Sequence, residues 1–207
     1  MNQRDLLWLT GKALLIWLLL SCLTGYVGEW LLTGLFPVIK AIIIMLAPEF
    51  LPSIELIKST QSQWDTSLQL SAWVVRPVYL NTSHFIPIGT DLQSTVHLLH
   101  ILVPLVIEVT VLCVWPVQHW LQRLLLLTWG LVSAACVIVL TLPTHLLANL
   151  EISFQDIALS GENPRAVPWC VDWMVFCEMG GRWLLALAAA WLCIHVQKSL
   201  LPSRNPT

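Results

Sequence analysis

HLLHILVPLVIE, residues 97–108, opens one of the most apolar runs of the chain and yet carries two histidines and a glutamate. On a helix, His97, His100, Pro104 and Glu108 follow i, i+3, i+7 and i+11, so they fall on one stripe. Ionisable side chains inside a membrane are costly and face the bundle interior or a wet cavity. The stripe therefore marks the inward face of a span. His97 and His100 would stand at its outer end, with Glu108 about 16 Å deeper at 1.5 Å per residue.

Composition makes the membrane reading the natural one. The 207 residues are 57% hydrophobic and 11% charged, whereas soluble globular domains carry about 25% charged residues. So little charge cannot cover a water-facing surface, which implies an integral membrane protein. Many of the twelve tryptophans lie near the ends of apolar runs, as aromatic belts at the membrane–water boundary do. The net charge of −2 says nothing about partners, and no basic cluster suggests nucleic acid.

A spanning helix needs about 20 mostly apolar residues. Segments 13–36, 97–117, 124–146 and 176–197 qualify, giving a four-helix membrane bundle within an all-α class. The apolar run of this segment continues to about Phe36, longer than a removable signal segment. A retained first span is therefore expected. Arg4, Lys12, Arg123, Lys198 and Arg204 flank the spans on one side, which places both termini in the cytoplasm of a bacterial inner membrane. Lys40, Lys58, Arg76 and Arg165 on the other side weaken that bias. FPVIKAIIIMLAPEFLP, from Phe36, is bounded by prolines and too short to cross, so it reads as an interfacial or re-entrant helix. A fifth span is the alternative.

The organisation expected is thus 1–36, N-terminus and first span; 37–96, interfacial helix and first outer loop; 97–146, a hairpin of spans; 147–175, second outer loop; 176–207, last span and tail. In the first loop, QSQWDTSLQLSAWVV alternates, with Trp64, Thr66, Leu68, Leu70, Ala72 and Val74 on one side. Period two indicates a half-buried strand, and Val78–Ile88 offers a second short one. In the second loop, Leu150, Phe154, Ile157 and Ala158 suggest a short amphipathic helix lying on the membrane, before the turn-rich Ser160–Pro168.

The ionisable residues admit three readings. A metal or haem could be held by His97, His100 and His145, with Glu178 or Asp172 completing the shell. Glu108 could exchange protons with the outer histidines. Or Glu29, Glu108 and Glu178 could pair with Arg182 in an intramembrane polar tie, Gly180 and Gly181 letting a neighbouring backbone approach. Cys170 and Cys177 would form a disulfide only if Cys170 precedes the last helix, because seven helical positions span about 10 Å. There is no C-x-x-C, G-x-S-x-G, Walker A or G-x-G-x-x-G motif. Asn81-Thr82-Ser83 is a glycosylation sequon in form.

These features favour a non-enzymatic membrane subunit that docks or positions membrane or periplasmic protein partners through its outer loops. A metal, redox or haem protein is the second expectation, and ion or proton transport through Glu108 the third. No cofactor is favoured.

Overall fold

A computed structural model describes residues 3–58, 66–80, 85–117, 119–159 and 166–200. The sequon, the segment 59–65 with Trp64, the loop 160–165 and the tail after residue 200 lie outside the described residues. Helix α1 spans Gln3–Leu46, α2 Leu98–Val114, α3 Trp120–Leu159, α4 Trp169–Phe176 and α5 Arg182–Leu200. Strands β1 (Phe50–Lys58), β2 (Thr66–Val74), β3 (Val78–Tyr79), β4 (Phe85–Ile86) and β5 (Asp91–His97) lie between α1 and α2. The protein is mostly helical with a small antiparallel sheet. Its segments Leu7–Leu46, Trp120–Asp156 and Trp169–Ser199 are long and apolar enough to cross a membrane, and Leu98–Val114 is a shorter apolar helix.

Two helices run further than the sequence suggests. The 44 residues of α1 and the 40 of α3 extend about 66 and 60 Å, roughly twice a hydrocarbon core of about 30 Å. There is no separate interfacial or re-entrant helix after Phe36, because α1 passes through Pro37 without a break. Nor is there a separate amphipathic helix at 150–158, because α3 continues through Pro143 to Leu159. A proline inside a helix removes one backbone donor, and apolar helices with neighbours tolerate that loss. The last span is interrupted instead. A turn at Cys177–Gly181 separates α4 from α5, and Gly180 there takes φ 106°. A Cβ on Gly180 would meet nothing within 4 Å, so the left-handed backbone, not a close neighbour, demands glycine.

By its internal contacts the chain divides into two units. The first comprises Met1–Gly28, Leu102–Ile138 and Gly181–Thr207; the second comprises Glu29–Ile101 and Val139–Gly180. In the first unit Leu112, Leu126, Ala190, Cys193 and Ile194 form a core cluster. Around it, Trp17, Leu18, Leu19, Leu124, Trp129, Leu131, Trp183, Leu184 and Leu187 are exposed. A surface this apolar suits lipid rather than water. Arg123 closes the hairpin: its guanidinium donates to the carbonyls of Cys113 (2.5 Å) and Trp115 (3.0 Å). These are the carbonyls that the end of a helix leaves without partners.

In the second unit β1, β2 and β5 make a three-stranded antiparallel sheet in the order β1-β2-β5. Thr66, Leu68, Leu70, Ala72 and Val74 of β2 are buried and alternate with less buried residues, as the period-two reading expects. Leu68 pairs with Leu56 and Val96, and Leu70 with Ile54 and Ser94. Phe50 of β1 meets Phe154 of α3 at 6.3 Å between ring centres. Leu32, Ile39 and Ile43 of α1 are fully buried; their spacing of seven and four is a single helical stripe. Val78–Ile88 provides two short strands, β3 and β4, paired with each other.

Candidate functional site

The opening stretch divides at its first residue. His97 closes β5 and α2 begins at Leu98, so His97 does not share a helical stripe with His100 and Glu108. Its Nδ1 lies 3.3 Å from Ser67 Oγ on the neighbouring strand. DLQSTVH alternates polar and apolar side chains, and that period-two signal extends the strand to His97.

His100 and His145 meet in the second unit, on Glu178. His100 Nε2 is 3.0 Å, and His145 Nδ1 3.4 Å, from the same carboxylate oxygen, Oε1. The two rings stand 6.1 Å apart at 60°. His145 is largely buried, whereas His100 and Glu178 are about half exposed. One carboxylate thus joins α2, α3 and the turn that follows α4. Among the described residues no group of three His, Cys, Asp or Glu side chains is arranged to hold a metal. The His97, His100, His145 set is not assembled, because the strand carries His97 to Ser67.

Each acid named for the polar tie bonds to side chains near it. Glu29 bonds to Lys58 Nζ (2.9 Å) and accepts from the Thr66 hydroxyl (3.0 Å), fixing α1 to β1 and β2. Glu178 takes the two histidines. Glu108 is fully buried in the first unit. Its Oε1 accepts a hydrogen bond from Ser133 of α3 and has the Cys193 thiol of α5 at 4.0 Å. Ser133 Oγ also lies 3.1 Å from the Gly130 carbonyl and 3.2 Å from Cys193 Sγ. Oε2 of Glu108 has no hydrogen-bond partner among the described residues. Arg182 is buried at the start of α5. Ser133 and Cys193 were not singled out by sequence, since each alone in an apolar run passes for a small packing residue.

Cys170 and Cys177, the candidate disulfide pair, are not bridged. Cys170 lies inside α4, which begins at Trp169, and Cys177 directly follows its end. Seven helical positions hold the two sulfurs too far apart along the axis for a bridge.

The three-stranded sheet of the second unit has a polar face. The face opposite its buried side presents Ser53, Ser71 and Gln93 in one row and Glu55, Gln69 and Thr95 in the next. Backbone direction follows from two bonds at the end of β2. Val74 N donates to Thr90 O, toward β5, and Val75 N donates to Glu49 O, toward β1. By alternation Leu92, Ser94 and Val96 spend their amide groups on β2, while those of Asp91, Gln93, Thr95 and His97 point to the outer edge of β5. On the opposite edge the same alternation turns Phe50, Pro52, Ile54 and Leu56 outward. Pro52 has no N–H to offer there and blunts that edge. No strand pairs with the outer side of β5 among the described residues.

No protein-family model, no curated protein and no solved structure matches the chain. The fold defines the class: a helical protein with membrane-length apolar helices and a small antiparallel sheet.

Proposed function

We propose that the chain is a small multi-pass membrane subunit that holds a partner protein by strand addition to the outer edge of β5. The observation that carries this reading is the proline-free row of outward amide groups at Asp91, Gln93 and Thr95. Such an edge is a template for an extended segment of another chain. The partner segment would be polar on the side next to Gln93 and Thr95 and apolar on the side next to Leu92 and Val96, which describes an extended stretch of a membrane or periplasmic protein. Lys12, Arg123 and Lys198 in the first unit support an arrangement with four spans and both termini in the cytoplasm of a bacterial inner membrane. The absence of a nucleophile or nucleotide motif supports a subunit over an enzyme.

Proline at two adjacent positions tests the reading. Gln93→Pro removes an outward N–H and leaves the bonds to β2 in place. Partner recovery from native membranes is expected to fall about tenfold, the worth of one lost hydrogen bond of about 1.4 kcal/mol, with unchanged thermal stability in detergent. Ser94→Pro removes an inward N–H and is expected to cost about 1–3 kcal/mol of stability. Full partner recovery with Gln93→Pro, or a wild-type protein that isolates alone as a monomer, would contradict the proposal.

A further inference from the structure

Three cations from three helices gather around one end of α2 in the first unit. Arg123 of α3 caps that end through the Cys113 and Trp115 carbonyls. Lys198 of α5 places its ammonium 5.0 Å from the centre of the Trp115 ring. Lys12 of α1, stacked on Trp8 at 5.4 Å, is near enough for its charge to act on the Cys113 thiol. Gln197 Nε2 donates to the Gln122 carbonyl at 2.7 Å, joining α5 to the start of α3 beside this cluster. Among the described residues none of the three cations is paired with a carboxylate. Like charges brought together repel one another, and an anion placed among them would relieve that repulsion.

A cavity of about 480 Å³ opens at the same place, lined by His119, Arg123, Leu124, Leu127, Thr128 and Leu131 among others. Arg123 belongs both to the cluster and to the mouth of this cavity. From Arg123 the groove follows one face of α3 to Leu131, about 12 Å at 1.5 Å per residue. Its polar end is cationic and its body is apolar. That is the form of a phospholipid, with an anionic phosphate at one end and a hydrocarbon chain behind it. Basic residues near a membrane surface attract acidic head groups.

We propose that this end of the first unit binds one acidic phospholipid, its phosphate among Lys12, Arg123 and Lys198 and one acyl chain in the α3 groove. The site is independent of strand addition at β5, and its test does not involve the partner protein.

The protein is purified from mixed phosphatidylglycerol and phosphatidylcholine bilayers, and the retained lipid is read by native mass spectrometry. One phosphatidylglycerol is expected to be retained in preference to phosphatidylcholine. A basic residue near a membrane surface contributes about fivefold to such attraction, so Lys12→Gln with Lys198→Gln lowers the preference about 25-fold. These two changes leave the Arg123 bonds to α2 intact. Leu127→Trp fills the groove and is expected to remove the bound lipid while the protein remains monodisperse. Glycerol phosphate, which has the head group and no chain, is expected not to compete. Lipid retained in proportion to the bilayer, a preference surviving both lysine changes, or competition by glycerol phosphate would each overturn the proposal.

Discussion

Gly130→Leu is expected to abolish accumulation of folded protein, and Gly130→Ala to lower its melting temperature by several degrees. A Cβ at Gly130 would run into the Leu112 side chain of α2, and Leu112 is itself fully buried in the core of the first unit. A methyl group there overlaps a terminal methyl of Leu112, which must shift within a packed core to admit it. Overpacking a dense core costs about 1–3 kcal/mol. Replacing an interior helical glycine returns about 1 kcal/mol of propensity, so alanine carries a net cost near 1 kcal/mol and leucine far more. Each kcal/mol shifts a melting temperature by about 2–4 °C in a protein of this size. The check is a heated-sample gel filtration series in detergent. Leu112→Ala on its own opens a cavity, but combined with Gly130→Ala it should cost less than the sum of the two changes, by about 1 kcal/mol or more. Strict additivity would mean that the helices do not meet at these residues.

Glu108→Lys has the second large effect. The Glu108 side chain is enclosed, and the groups around it are the Ser133 hydroxyl and the Cys193 thiol. Neither carries a negative charge that could balance an ammonium. An uncompensated buried charge costs several kcal/mol, enough to remove the folded state of a marginally stable chain. Glu108→Gln keeps an acceptor for Ser133 and brings no charge, so it should accumulate like the wild type. Ser133→Ala leaves Oε1 without its hydroxyl donor and is expected to cost about 1–3 kcal/mol. Membrane abundance and gel-filtration profile distinguish the three variants. Poor accumulation of Glu108→Gln, as severe as that of Glu108→Lys, would show that the site needs the carboxyl group itself.

The apolar helices are legible in the sequence by the length of their apolar runs, and β2 by its period. The strand alternates for nine residues, and the helices are apolar on every side. Boundaries are harder to read, and for identifiable reasons. Pro37 and Pro143 have the look of stops, yet each removes one hydrogen bond from a helix held by many. His97 belongs by alternation to DLQSTVH and by hydropathy to the run after it, and the strand pairing with Ser67 decides between them. Gly180 and Gly181 look like a packing contact, while the backbone shows that Gly180 serves a left-handed turn. Glu108 is conspicuous because a charge among leucines is costly. Its partners Ser133 and Cys193 are not, since sequence carries no trace of which small residue on another helix will face it. Lys58 is likewise invisible as the partner of Glu29 until β1 exists as a strand, and Pro52 argues against a strand except at an edge.

Strand addition at β5 is tested most directly by photo-crosslinking in native membranes. A photoreactive side chain is placed in turn at Gln93, Ser94, Thr95 and Val96. In the sheet Gln93 and Thr95 are exposed, while Ser94 and Val96 are buried. The account predicts one adduct of the same discrete mass from positions 93 and 95, and none from 94 or 96. An equal yield at all four positions, or no adduct at 93 and 95, would contradict it.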